Sequence, residues 1–228
     1  NSDIFSSNLG KTKGPDAPHE FWYFWRRFFE FGEIQKLENI TSESTKALAF
    51  KKELMAIPYV FNKPLVLKGM ILNWDIGLLE KLFPKSLFIH LERDPIYNMH
   101  SLYKARKNFF GDISQWYSFK PPEYDGLKNM TALKQIAGQV YYTNRAITDQ
   151  FQNIDQSKQM SINYEDFCLD PQKVYQTIRS KFELQNCLIS DTYIGEESFS
   201  ITNKITDNDF DKIKALIDYN EFKNSKTS

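Results

Sequence analysis

The sequence lacks several features that often indicate a protein's function. It has no charge excess, because 29 Lys and Arg balance 29 Asp and Glu, and this argues against a general nucleic-acid binder, which needs a cationic surplus. Its two cysteines, Cys168 and Cys187, lack the spacing of a metal site or a disulfide framework. No apolar run approaches the roughly 20 residues of a membrane-spanning helix. We therefore expect a protein that binds neither nucleic acid nor metal and carries no membrane segment.

The start of the sequence carries little information about location. The chain begins at Asn1 rather than at a methionine, so a processed or truncated product is one interpretation. No signal peptide begins at Asn1, which slightly favours a cytoplasmic location.

The composition predicts a packed globule. The 228 residues suit one domain, and 19 Phe, 12 Tyr and 4 Trp supply a large apolar core. The densest aromatic stretch, "HEFWYFWRRFFEFG", is predicted to form a helix that ends near Gly32 and buries its aromatic face. The stretch "TSESTKALAFKKELMAIPYVF" is predicted to form a second helix, which ends before Pro58.

The middle of the sequence alternates short apolar segments with helical ones. Strands are predicted at 63–69, 86–92 and 159–165. Helices are predicted at 74–83, 95–110, 127–154, 171–182 and 207–219. Strands that are apolar throughout, each followed by a helix, predict an α/β fold with a parallel β-sheet flanked by helices on both faces.

Three polar side chains stand at the carboxyl ends of these strands, namely Lys68, Arg93 and Tyr164. In open parallel sheets, ligands bind beyond the carboxyl ends of the strands. The three residues therefore indicate a ligand site at one edge of the sheet.

The joint between strand and helix at Arg93 is the most informative local feature. Asp94 suits a helix N-cap and Pro95 suits the first helical position, so the helix begins directly after Arg93. The N-terminus of the helix and the planar guanidinium can bind the same anion. Ser101, about two turns into the helix, can donate to that anion as well. The alternative interpretation is an arginine paired with a surface carboxylate.

Several segments resemble, in order, those of sulfotransferases that use 3′-phosphoadenosine 5′-phosphosulfate (PAPS). Arg93-Asp94-Pro95, with Ser101 eight residues after the arginine, resembles the segment that binds the 3′-phosphate. "NYEDFCLDP" resembles a "Y-E-D-L…D-P" stretch, and "SFSITNKI" resembles a stretch that closes over the nucleotide. The likeness spans about residues 61 to 206. It implies a P-loop NTPase-like sulfotransferase fold, PAPS as the sulfuryl donor and no metal.

The same resemblance implies roles for individual residues. The nucleotide would be held by a set drawn from several segments, namely Arg93, Ser101, Tyr164, Ser200 and Lys204. Lys68 would contact the bridging oxygen of the donor, although a lysine that only extends to solvent from a strand end is the alternative. The acceptor would be a small molecule or a glycan with a hydroxyl or an amine.

Removal of the proton from the acceptor hydroxyl or amine requires a base, which in this family is a His or a Glu. His19 and Glu20 are the candidates, although a first-turn carboxylate favoured by the helix dipole is the alternative for Glu20. His90 lies in an apolar strand and is interpreted as a core histidine, whereas His100 is expected on another helix face than Ser101.

One departure from the family pattern concerns the loop that binds the phosphosulfate, typically of R-S-G-T-T type, which this sequence lacks. Gly10-Lys11-Thr12 does not replace it, because the Walker pattern needs a glycine where Phe5 stands. We therefore expect a domain over residues 1–228 without its first strand and phosphate loop, and a sheet that is open beside the Lys68 strand. The alternatives are an inactive nucleotide-binding protein of the same fold and a kinase-like phosphoryl transferase.

Overall fold

The computed structural model describes residues 6–8, 11–13, 21–201 and 209–225. His19, Glu20 and Lys204 therefore lie outside the described residues. Near the start of the chain, β1 (Ser6–Asn8) and β2 (Lys11–Lys13) form an antiparallel pair.

The rest of the described chain alternates helices with two further strands. The helices up to the first of these strands are α1 (Trp22–Phe28), α2 (Thr45–Phe61) and α3 (Ile76–Leu82). The strands are β3 (Phe88–Glu92) and β4 (Gln159–Asn163). The helices between them are α4 (Pro95–Phe110), α5 (Tyr124–Leu127) and α6 (Ala132–Phe151). The helices after β4 are α7 (Tyr164–Leu169), α8 (Pro171–Leu184) and α9 (Asp209–Asn224).

The strands β3 and β4 form a parallel pair in which His90 is opposite Ser161 and Glu92 is opposite Asn163. This confirms the predicted α/β fold with a parallel sheet flanked by helices. Phe88 and His90 point to one face of β3, where Phe88 packs against a cluster that includes Phe151 of α6.

The opposite face of β3 is less covered than the prediction implies. Ile89 and Leu91 of that face are 42% and 51% exposed. Parallel strands are usually covered on both faces, so this face presents an apolar surface that the described helices leave partly open.

The predicted strand at 63–69 is wrong. Residues 63–69 form no strand and pair with none in the described chain, and Val66 is 88% exposed. An apolar sequence favours a strand only where a partner satisfies its backbone, and Pro64 also removes one donor. Lys68 therefore lies on an exposed segment rather than at a strand end, and the sheet edge predicted beside it does not form.

The aromatic side chains of the N-terminal region are part of the core, as predicted. Trp25, Phe28 and Phe29 are buried against Phe50 of α2. The bounds of both helices differ from the prediction. The first helix ends at Phe28, well before Gly32, and the second continues through Pro58 to a left-handed Asn62, because a proline in the last turns removes only one helical donor.

Helix α9 packs on α6 through aromatic side chains. Tyr141 and Tyr142 of α6 contact Tyr219 or Phe222 of α9, at ring-centroid distances of 5.7 to 6.2 Å. Gly138 allows this approach, because a Cβ there would lie 2.4 Å from Leu127 Cδ2 and 3.2 Å from Phe222 Cζ. The close packing places the last turns of α9 beside the middle of α6.

Asp75, which precedes α3, has a partly buried carboxyl group that affects stability. Its Oδ2 accepts a hydrogen bond from the Leu37 backbone N–H at 3.2 Å. Burial raises the pKa of Asp75 to about 6, although this hydrogen bond and the charge of Lys36 act in the opposite direction. A carboxyl with a raised pKa in the folded state holds a proton that the unfolded chain releases between about pH 4 and pH 6. The contribution of Asp75 to the free energy of unfolding is therefore favourable at low pH, and it is lost as the pH rises through about 6.

We expect Asp75→Asn to be more stable than the wild type at pH 7.5, by about 1–3 kcal/mol. Asparagine keeps an acceptor for the Leu37 N–H and carries no charge. Urea unfolding at pH 4 and pH 7.5 measures the effect, which should be small at pH 4. An equal difference between the two proteins at both pH values would contradict this account.

Candidate functional site

Each strand of the parallel pair is followed directly by a helix whose N-terminus is capped by a side chain. After β3, Asp94 Oδ1 accepts a hydrogen bond from the Ile96 N–H at 2.9 Å, and Pro95 occupies the first helical position. After β4, Asn163 Oδ1 accepts from the N–H groups of Glu165 and Asp166 at 2.9 and 3.2 Å. Since the strands are parallel and in register, the starts of α4 and α7 lie at the same edge of the sheet.

Arg93 lies at this edge between two tyrosine rings. Its Cζ is 4.9 Å from the ring centroid of Tyr97 and 4.8 Å from that of Tyr164. Its Nε is 3.7 Å from Glu165 Oε1, and both side chains are about a quarter exposed. The arginine predicted after one strand and the tyrosine predicted after another are thus in contact, and the rings hold the guanidinium in place.

Tyr164 is also connected to the helix that it begins. A hydrogen bond with the Cys168 thiol raises the pKa of Tyr164, burial adds to this effect, and the charge of Arg93 opposes it. The Cys168 carbonyl accepts a hydrogen bond from the Phe199 N–H at 2.7 Å, and the Phe199 ring stacks on Phe167. Ser200 follows directly and is exposed, so the segment predicted to close over a nucleotide is attached to the helix beside Arg93.

The other predicted residues lie apart or outside the described chain. Ser101 is exposed on α4, two turns beyond Arg93, and Lys68 is on the exposed segment before α3. The structure thus brings together Arg93 and Tyr164, with the Ser200 segment attached nearby.

A cavity of about 360 Å³ opens at the carboxyl end of β3. Its walls come from β3, from the start of α4, from α6 and from α9. Its lining includes His90, Glu92, Arg93, Asn144, Arg145 and Tyr219. The cavity has both charge signs, because Arg145 Nε forms an ion pair with Asp149 Oδ2 at 3.1 Å, and Lys223 adds a cation.

His90 lies on the wall of this cavity, which the sequence interpretation did not predict. Its side chain is only 4% exposed, as expected of a core histidine, yet it lines the cavity. The signal that would have found it is Glu92, two residues later, because residues i and i+2 of a strand share a face. His90 Nδ1 is 3.3 Å from Glu92 Oε1.

The described residues give no indication of a metal site, since no group of three or more His, Cys, Asp or Glu side chains among them could hold an ion. A search of the described helices found none long and apolar enough to cross a membrane.

Comparison with known proteins identifies the family. The family model described as "Sulfotransferase family" matches residues 17–186, which is most of the chain. The chain therefore belongs to the sulfotransferase family. No curated protein and no solved structure matches it significantly.

Proposed function

We propose that this chain transfers a sulfuryl group from PAPS to a hydroxyl or an amine of a small molecule or a glycan. The observation that carries the proposal is Arg93, which two tyrosine rings hold at the carboxyl end of β3. Membership of the sulfotransferase family supports sulfuryl transfer in general, and the choice of PAPS is our proposal.

Arg93 would bind the 3′-phosphate of the donor. A guanidinium offers a planar set of donors that matches two phosphate oxygens. The N-terminus of α4, which begins two residues after Arg93, adds a partial positive charge. Ser101 would donate from the exposed side of α4, while Tyr164, Ser200 and Lys204 would contact the nucleotide.

The transfer itself would be an in-line displacement at sulfur. The acceptor oxygen or nitrogen forms a bond to sulfur while the bond from sulfur to the phosphate oxygen breaks, and 3′,5′-adenosine bisphosphate leaves. Lys68 would stabilise the negative charge on the leaving oxygen. A base must take the acceptor proton, and His19 and Glu20 are the candidates from the sequence. Positioning and charge stabilisation would supply most of the rate.

We expect 3′,5′-adenosine bisphosphate to bind more tightly than AMP, because it alone has a 3′-phosphate. Arg93→Ala should weaken its binding by about 1.5–3 kcal/mol, the range for a hydrogen bond to a charged group. Isothermal titration calorimetry with both nucleotides measures the difference. Arg26→Ala is a matched control, since Arg26 is an exposed arginine that also lies over an aromatic ring, that of Trp22. Equal affinities for the two nucleotides would contradict the assignment.

An inactive nucleotide-binding protein of the same fold is the alternative. It would bind 3′,5′-adenosine bisphosphate but release no sulfuryl group from ³⁵S-labelled PAPS. A kinase-like phosphoryl transferase would depend on a divalent metal. Loss of activity on addition of EDTA would therefore contradict the sulfuryl-transfer proposal.

A further inference from the structure

Groups from both helices that begin at this sheet edge surround the Arg93 guanidinium. Its Cζ lies 4.9 Å from the ring centroid of Tyr97, the third residue of α4, and 4.8 Å from that of Tyr164, the first residue of α7. Its Nε lies 3.7 Å from Oε1 of Glu165, the second residue of α7. Two rings and a carboxylate of the protein therefore contact the guanidinium before any ligand binds.

The starts of the two helices determine where these neighbours lie. The Tyr97 N–H donates to the Asp94 carbonyl oxygen at 3.0 Å, which fixes the first turn of α4 beside Arg93. Asn163 Oδ1 accepts a hydrogen bond from the Glu165 N–H at 2.9 Å, which fixes the start of α7. Since the two strands are parallel and in register, both helix starts lie at the same sheet edge. The backbone that carries Tyr97 and Glu165 is thus anchored next to the arginine.

Glu165 pairs with Arg93, although two other carboxylates are closer to the arginine in the sequence. Glu92 Oε1 lies 3.3 Å from Nδ1 of His90, and Asp94 caps the N-terminus of α4. The two atoms of the ion pair, Arg93 Nε and Glu165 Oε1, are closed to solvent. Solvent therefore screens their attraction less than that of an exposed pair.

A carboxylate beside a phosphate site has two opposite effects. Its negative charge repels the phosphate, which weakens binding. Its attraction for Nε fixes the direction of the guanidinium, and an arginine that is fixed in advance loses less side-chain entropy when the phosphate binds. The tyrosine rings have only the second effect, since they are uncharged and pack on the planar guanidinium.

We propose that Glu165 and Tyr97 are positioning residues, which hold the Arg93 guanidinium in the orientation that binds the 3′-phosphate. The inference rests on the proposed function. Glu165 fixes the Nε edge of the guanidinium, the rings of Tyr97 and Tyr164 fix its plane, and the terminal Nη groups bind the phosphate oxygens. Neither positioning residue contacts the ligand in this account.

The orientation of Arg93 can be tested without any ligand, and Arg93→Lys assigns its Nε–H signal in a ¹H–¹⁵N spectrum. We expect this hydrogen to exchange with water about tenfold more slowly than that of Arg26. The reason is that Arg93 Nε is closed to solvent, whereas Arg26 lies exposed over the Trp22 ring. Glu165→Gln and Tyr97→Leu should each bring the exchange rate closer to that of Arg26. Equal rates for Arg93 and Arg26 in the wild type would overturn the proposal.

The role of Glu165 in binding is tested by isothermal titration calorimetry with 3′,5′-adenosine bisphosphate and with AMP. We expect Glu165→Gln to weaken binding of the bisphosphate about 3–10-fold and to change that of AMP less than about twofold, because AMP has no 3′-phosphate. Removal of a repelling charge alone would tighten binding, so the two effects of the carboxylate predict opposite signs. Unchanged or tighter binding of the bisphosphate would overturn the role of Glu165.

Asp166→Asn is the matched control for Glu165→Gln. Asp166 is an exposed carboxylate in the same first turn of α7, so the two variants remove the same charge from the same helix start. The control should change neither affinity more than about twofold, since surface changes usually have small effects. A loss equal to that of Glu165→Gln would assign the effect to the helix start rather than to the ion pair, and would overturn the role of Glu165.

Tyr97 is tested with two variants that differ in the ring. Tyr97→Leu removes the ring and should weaken binding of the bisphosphate about 3–10-fold, whereas Tyr97→Phe keeps the ring and should bind within about twofold of the wild type. A residue that only stabilised the fold would affect both nucleotides alike. Equal losses for the two variants, or equal losses for the bisphosphate and AMP, would overturn the role of Tyr97.

The outcomes separate this inference from the proposed function. If the wild type binds 3′,5′-adenosine bisphosphate no more tightly than AMP, the assignment of Arg93 to the 3′-phosphate fails, while the exchange of its Nε–H still shows whether the arginine is held. If the wild type distinguishes the two nucleotides but Glu165→Gln and Tyr97→Leu bind the bisphosphate as the wild type does, the proposed function stands and only the positioning roles fail.

Discussion

Phe50→Ala is expected to lower the free energy of unfolding by about 3–5 kcal/mol. Phe50 of α2 is fully buried, and its ring lies 5.0 to 6.0 Å from the rings of five aromatic neighbours. These neighbours are Phe24, Trp25, Phe28, Phe29 and Phe83. Such a dense cluster cannot collapse around an alanine without displacing several large rings, so a cavity remains and adds to the lost transfer free energy.

Urea unfolding monitored by tryptophan fluorescence measures this loss, since Trp25 is one of the rings in contact. Tyr23→Ala is the control, because Tyr23 is on the solvent side of α1 and surface changes usually stay within about 0.5 kcal/mol. A loss below about 1 kcal/mol for Phe50→Ala would mean that the cluster is not the main core of this region.

Features that depend on neighbouring residues could be predicted from the sequence. The start of α4 is correct to the residue, because Asp94 and Pro95 act on the backbone beside them. The contact between Arg93 and Tyr164 follows from a general rule about parallel strands and needed no knowledge of packing. The roles of these residues in binding remain predictions.

Features that depend on distant partners could not be predicted in the same way. The apolar segment 63–68 has the composition of a strand, but no strand of the described chain pairs with it. His90 was assigned to the core because its sequence neighbours are apolar. Its actual surroundings include Asn144 and Tyr219, which lie on helices more than 50 residues away in the chain.

The segment after α4 shows the same limitation. From the sequence alone, Trp116 and Tyr117 on this polar loop are expected to border the acceptor pocket. Instead, Tyr117 stacks on Phe109 at 5.1 Å, and the Trp116 ring lies 4.9 Å from the Cζ of Arg106. In a sequence, an aromatic pair on a polar loop indicates a binding surface. In the structure, the Trp116 ring of this loop packs on the buried guanidinium of Arg106 in α4.

Arg106 is a fully buried arginine whose hydrogen-bond partners among the described residues are all neutral. Its Nη1 donates to Gln135 Oε1 at 2.9 Å and to the Ile113 carbonyl at 3.2 Å, and its Nη2 donates to Gln139 Oε1 at 3.2 Å. Burial lowers the pKa of Arg106 to about 10, and the nearby Tyr124 partly opposes this shift. The guanidinium therefore stays charged at neutral pH and joins α4, α6 and the loop between them.

The two glutamines extend the network to the backbone of the loop. Gln139 Nε2 donates to the carbonyls of Tyr117 and Phe119, both at 2.8 Å, and Gln135 Nε2 donates to those of Lys128 and Met130. Their amide orientation is thus fixed, and each Oε1 must face Arg106. If the guanidinium is removed, these oxygens cannot turn to another donor without breaking the bonds to the loop.

Arg106→Met is therefore expected to lower the free energy of unfolding by about 3–5 kcal/mol, because two buried acceptors and one partly buried acceptor lose their donor at about 1–3 kcal/mol each. Arg106→Lys should recover little, since one ammonium group cannot reproduce the fork that reaches both glutamines. Arg26→Met is the matched control, because Arg26 also lies over a tryptophan ring but is exposed, and it should cost less than about 1 kcal/mol. Urea unfolding of the four proteins gives the comparison. Equal losses for Arg106→Met and Arg26→Met would show that the stacking on tryptophan, rather than the buried glutamine network, accounts for the contribution of Arg106.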